Sequence, residues 1–120
     1  MNSLIEVRDL LRKSVKAYVG AIPPEQEQKV ETVALVTSIA WAPYDYGGDN
    51  PLTLSEDLQV MIWFKAGTAT DDFLWNLAED LAKIKFFITW SDGALTDPET
   101  GMNKATIHIR RKRSKRPQYE

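Results

Sequence analysis

Apolar residues change their spacing several times along the chain, and each change marks an element. Leu4, Val7, Leu11, Val15 and Tyr18 recur at helical spacing, with Leu10 beside them, and predict an amphipathic helix at the start. Ser3 and Glu6 stand in the order of a capping box there. Gly20 ends this helix, and Pro23-Pro24 forbids its continuation. The polar stretch 25–29, EQEQK, reads as a connector. From Val30 to Trp41 the period falls to two and predicts a long strand. Val33, Leu35, Ile39 and Trp41 share one face of it; Thr32, Ala34, Val36 and Ser38 share the other. A second long strand, Leu54 to Lys65, sets Leu58, Val60, Ile62 and Phe64 against Gln59, Met61, Trp63 and Lys65. Between the two, residues 43–51 (PYDYGGDNP) are dense in turn-formers and predict a long loop.

Gly67 breaks the second strand, and Thr70 is the expected N-cap of a second helix. Asp71 and Asp72 occupy its first turn, where the helix dipole favours negative charge. Phe73, Leu74, Leu77, Leu81 and Ile84 form its apolar stripe. Lys85 to Trp90 predicts a short strand with Phe86, Ile88 and Trp90 on one side. Residues 92–101 (DGALTDPETG) read as a turn, and Met102 to Arg111 as the last strand, with Ala105, Ile107 and Ile109 facing in. The order α-β-β-α-β-β predicts a single α+β domain over residues 1–111: an antiparallel sheet with two packed helices and a long β-hairpin.

Met61 and Trp63 lie opposite the core row of their strand, and Ala34 and Val36 are expected on the matching outer face of the first strand. A sheet apolar on both sides needs cover on both sides. Either one helix lies on each face, or both share one face and Met61 with Trp63 meets another subunit. The second arrangement is preferred here, since aromatic residues and methionine are enriched at subunit contacts.

Charge is unevenly spread. Arg110, Arg111, Lys112, Arg113, Lys115 and Arg116 hold six of the 15 basic residues, leaving residues 1–109 near −7 and the end near +5. Residues 112–120 are polar, contain a proline and are expected to be a disordered basic tail. Such a cluster can solvate, contact an acidic neighbouring copy, or bind phosphate non-specifically. No aromatic residue interrupts it, and the acidic body opposes nucleic acid, so nucleic-acid binding through the tail is the alternative function and not the preferred one.

Candidate chemistry is sparse. The chain has no cysteine, which removes disulfides, thiolate metal sites and a cysteine nucleophile. His108 is the single histidine and sits mid-strand without a ligand spacing. Ser55 and Ser91 lack a nucleophile-elbow context, and Gly47-Gly48 is followed by Asp49-Asn50 rather than by a helix start. Asp92, Asp97 and Glu99 offer oxygens for Ca²⁺ but not in EF-hand order, and Asp97-Pro98-Glu99-Thr100-Gly101 fits a plain turn. Asp45, Asp49 and Asp57 likewise show no paired-carboxylate pattern. No catalytic residue, cofactor or metal site is expected. The start of the sequence carries no signal-peptide core and no run approaches the ~20 apolar residues of a membrane span, so a cytoplasmic protein without membrane contact is expected.

Over residues 4–112 the chain resembles the small minor tail, tail-terminator and tail-completion proteins of long-tailed bacteriophages. The resemblance rests on the order of an N-terminal amphipathic helix, the loop PYDYGGDNP, a strand LQVMIWFK, a helix FLWNLAEDLAK, the loop TDPETG and a closing strand KATIHIRRK. It implies a virion structural protein, made in the cytoplasm of a bacterial host. It also implies a ring, typically a hexamer, that caps the tail tube and meets the head–tail connector. The family has no catalytic residues. Tyr44, Tyr46, Asp49, Met61, Trp63, Asp97 and Glu99 are the expected contacts with the neighbouring copy, the tube protein or the connector. The basic end after Lys112 has no counterpart in it.

Overall fold

The computed structural model describes residues 3–24, 31–47, 50–96 and 101–114. Two helices, α1 (Ser3–Leu11) and α2 (Thr70–Lys83), pack on a five-stranded sheet. Its strands are β1 (Lys16–Val19), β2 (Val33–Gly47), β3 (Asn50–Phe64), β4 (Phe87–Thr96) and β5 (Asn103–Ser114), in the spatial order β1-β2-β3-β5-β4. The α+β class expected from the sequence holds, with one strand added at the sheet edge.

That strand is the main correction to the first helix. The helix stops at Leu11, where Ser14 and Val15 turn their N–H groups back to the Leu11 carbonyl. Lys16 to Val19 then pairs in parallel with Val33 to Val36, so the sheet is mixed rather than antiparallel. Tyr18 and Val19 are aromatic or β-branched and gain more from a ladder than from a helix. Ala17 is buried between outward neighbours, which is period two, and Gly20 closes the pairing with its N–H on the Val36 carbonyl.

β2 and β3 form the expected hairpin, but pairing runs to Gly47 opposite Asn50. Most of PYDYGGDNP is therefore ladder rather than loop; Gly48 and Asp49 lie outside the described residues. A bulge between Ser38 and Ala40 reverses the phase of β2. Ile39 and Trp41 lie at and beyond it and so do not report the face of Leu35. Ala34 pairs with Ile62 and Val36 with Val60, all four fully buried, so the face expected to be outer is the core face.

Leu58, Val60, Ile62 and Phe64 face inward as expected, as do Ala105, Ile107 and Ile109 of β5. Val7 and Leu11 of α1 and Leu77 and Leu81 of α2 close over this row, together with Phe86. Each large side chain so enclosed contributes about 1.5–3 kcal/mol. Both helices thus occupy one face of the sheet, the arrangement preferred from the sequence.

α2 begins at Thr70 with Ala69 as N-cap and no side-chain cap, so Thr70 is the first helical residue and not the cap. Its C-terminus is a Schellman motif: Phe86 N–H donates to the Leu81 carbonyl and Lys85 N–H to that of Ala82. Lys85 takes the left-handed position, at φ 70°, that glycine usually fills. Thereafter Phe86 precedes the strand, β4 starts at Phe87, and it runs to Thr96. The segment 92–96, expected in a turn, is strand; residues 97–100 lie outside the described residues. β5 likewise continues past Arg111 to Ser114, which places Lys112 and Arg113 in the sheet instead of a tail.

Candidate interaction surface

With both helices on one side, the other face of the sheet is left without a helix, and the register shows what it presents. One row crosses from Tyr18 to Leu35, Met61 and Thr106. The next carries Lys16, Val33, Trp63, Lys104 and Leu95. A third holds Thr37, Gln59, His108 and Trp90, and a fourth Asp57, Arg110 and Phe87. Aromatic and aliphatic groups stand in these rows on β1, β2, β3 and β4, whereas β5 sets Lys104, Thr106, His108 and Arg110 between those of β3 and β4. Met61 and Trp63 are half-buried on this face, whereas Trp90, Phe87 and Leu95 are 50%, 58% and 60% exposed.

Polar contacts fix these rows laterally. Lys104 Nζ sits 5.3 Å from the Trp63 ring centroid, a cation–π contact that also orients the indole. His108 Nε2 lies 3.1 Å from Gln59 Oε1, and its ring stacks at a tilt on Trp90, 4.9 Å between centroids. Arg110 forms a two-pronged bond to Asp57, 2.7 and 3.2 Å long. The lone histidine is a cross-strand spacer between an amide and an indole. Ser55 pairs with Lys112 in the ladder, and Ser91 Oγ accepts the Gly93 N–H.

Asp92 has a structural task. Its carboxylate accepts the Thr106 N–H at 2.9 Å, where the ladder between β4 and β5 shifts register between Ser91 and Ala94. Gly93 has φ 72°, as a bulge of this kind requires. Asp97 and Glu99 lie outside the described residues, so the three oxygens considered for Ca²⁺ are not seen together. Among the described residues no three His, Asp or Glu side chains converge on a common point.

The basic run divides three ways. Arg110 belongs to the uncovered face. Arg111 points to the other side and is 8% exposed, under the start of α1. Its guanidinium contacts Glu6 at 2.9 Å, Ser3 Oγ at 2.9 Å and the Ile84 carbonyl at 3.2 Å, and lies 4.3 Å from the Phe86 ring centroid. Ser3 in turn donates to Glu56, itself buried. This cluster ties α1, β3, β5 and the end of α2 together. Lys112 is exposed on the ladder, Arg113 pairs with Leu54, and Lys115 and Arg116 lie outside the described residues.

Tyr44 and Tyr46 sit in the hairpin ladder opposite Thr53 and Pro51, remote in sequence register from Met61 and Trp63. The structure thus keeps Met61 and Trp63 together and separates them from the tyrosines. Sequence reading missed Trp90, Phe87 and Leu95. It put Trp90 on the same side as Phe86 and Ile88, yet a bulge between Ile88 and Trp90 turns the indole outward while Ile88 stays with the core. Gly93 was the readable sign that β4 is irregular.

A cleft of about 570 Å³ opens beside the turn after α1, between Arg12, Lys13, Glu31 and Phe73. Two of its cations are already engaged: Arg12 donates to the Ala17 carbonyl and Lys16 pairs with Glu31. Among the described residues no helix is long and apolar enough to cross a membrane. No protein-family model and no curated protein matches the sequence.

Proposed function

We propose that the protein is a structural assembly subunit of a long-tailed phage or prophage: a ring-forming terminator or completion factor that caps the tail tube and meets the head connector. One observation carries the reading. An aromatic and aliphatic face of the sheet remains uncovered once both helices have packed on the other side. Exposed apolar side chains rimmed by polar ones, as Phe87, Trp90 and Leu95 are on β4, mark contact with another macromolecule. The motif order described above supports the tail assignment, and the elongated shape, 52 Å along its longest axis, supports a subunit that reaches beyond its own core.

The test is to add the purified chain to tail tubes assembled from their tube protein. Rings at tube ends in electron micrographs, with arrested tube growth, are expected. Light scattering that reports a strict monomer at every concentration, with tube ends left bare, would overturn the proposal.

A further inference from the structure

The self-assembly reading leaves open which surface meets the uncovered sheet face. The helix side of the same molecule offers a matching one. Trp75 on α2 is 72% exposed and points away from Leu77 and Leu81, hence away from the sheet. One helical turn to either side of it lie Asp71, Asp72 and Glu79, all exposed. None of the three carboxylates has an ion-pair partner among the described residues. α2 therefore presents an aromatic plug ringed by negative charge.

The sheet face is its complement. Lys104, Arg110 and Lys112 share the outer side of β5, with Asp57 the one carboxylate in register with them. Beside them on β4 stand the exposed Phe87, Trp90 and Leu95, in register with Arg110, His108 and Lys104. Dimensions agree as well. The 14-residue helix is about 21 Å long, and β5 from Lys104 to Arg110, along which it would lie, spans about 20 Å.

From this pairing we infer that the outer face of α2 in one protomer docks on the uncovered sheet face of the next copy, with Trp75 as the anchor and Lys104 opposite Glu79. The two patches lie on opposite sides of one domain. Their contact is heterologous and propagates head to tail, closing to a ring where the rotation permits. The charges set register and exclude a sheet-on-sheet pairing, which would bring like charges together. The inference rests on the assembly reading above, since it names the surfaces through which that assembly proceeds.

Absence of native cysteine allows a direct test in the full chain. Asn76→Cys marks the helix patch and Leu95→Cys the sheet patch. Under mild oxidation, mixing the two single variants should give a disulfide-linked heterodimer, and the double variant a ladder. A dimer of Leu95→Cys alone, with no mixed product, would show a sheet-to-sheet contact and overturn the inference. In parallel, Trp75→Ser should weaken self-association at least about tenfold with an unchanged melting temperature. Glu79→Lys should do the same, and Lys104→Glu should restore binding when mixed with it. If the wild type associates and Trp75→Ser associates equally well, the docking inference fails while the assembly reading stands. If the wild type never self-associates, even at tube ends, both fail.

Discussion

Replacing Arg111 by alanine should be the most damaging single change outside the apolar core. Its guanidinium contacts Glu6, Ser3 Oγ and the Ile84 carbonyl and covers the Phe86 ring. Glu6 is one-quarter exposed, so its ion pair alone contributes under about 1 kcal/mol. Glu56 matters more. It is 8% exposed, and Arg111 Nε lies 3.9 Å from its Oε1. Truncation takes the guanidinium away from this buried carboxylate, at about 3–5 kcal/mol for a broken buried pair. The same Nε lacks a hydrogen-bond partner, which lowers the net worth of the intact cluster. A loss of about 3 kcal/mol follows, equivalent to about 10–15 °C in melting temperature for a domain of this size. Urea unfolding followed by far-ultraviolet circular dichroism measures it. A double-mutant cycle with Glu56→Gln should recover more than 1 kcal/mol of that loss, roughly, because the second change removes the stranded charge. Arg111→Ala costing less than about 1 kcal/mol, or strict additivity in the cycle, would refute the reasoning.

Other outcomes are equally specific. Lys85→Gly should stabilise the protein by about 0.5–1 kcal/mol, because glycine adopts the left-handed cap position without the penalty lysine bears; thermal denaturation decides the sign. Gly93→Ala should lose about 1–2 kcal/mol from its positive φ alone, since nothing lies within 4 Å of the added methyl group. Asp92→Ala should cost about 1.5–3 kcal/mol through the lost bond to Thr106 N–H, and Ca²⁺ should leave the melting temperature of the wild type unmoved. Leu81→Ala should cost about 2–5 kcal/mol, as it opens a cavity between α2 and the sheet.

The core side of the fold was legible because strict alternation along β3 and β5, and the heptad-like stripe of α2, each obey a single period. What escaped the sequence had a physical cause in each case. Tyr18 and Val19 continue a helical spacing, yet parallel pairing with β2 outweighs it, and pairing partners are not written in the local pattern. Bulges at Ser38/Ala40 and Ile88/Trp90 each reverse a face, so Ala34, Val36 and Trp90 all appeared on the wrong side. The candidate surface was half visible: Met61 and Trp63 stand out as apolar residues opposite a core row. Phe87, Trp90 and Leu95 join them only once β4 is known to be the sheet edge. The basic run looked like one solvated cluster, and only strand register separates Arg110, which faces outward, from Arg111, which is buried.

Sedimentation velocity of the wild type beside Trp90→Lys, over a wide concentration range and with tail tubes added, tests the central claim most directly. The wild type should form concentration-dependent oligomers that settle to one closed size at tube ends. The variant, which places a charge beside His108 on this face, should stay monomeric with its fold intact. Identical sedimentation of the two proteins under every condition would contradict the claim that this sheet face holds the assembly together.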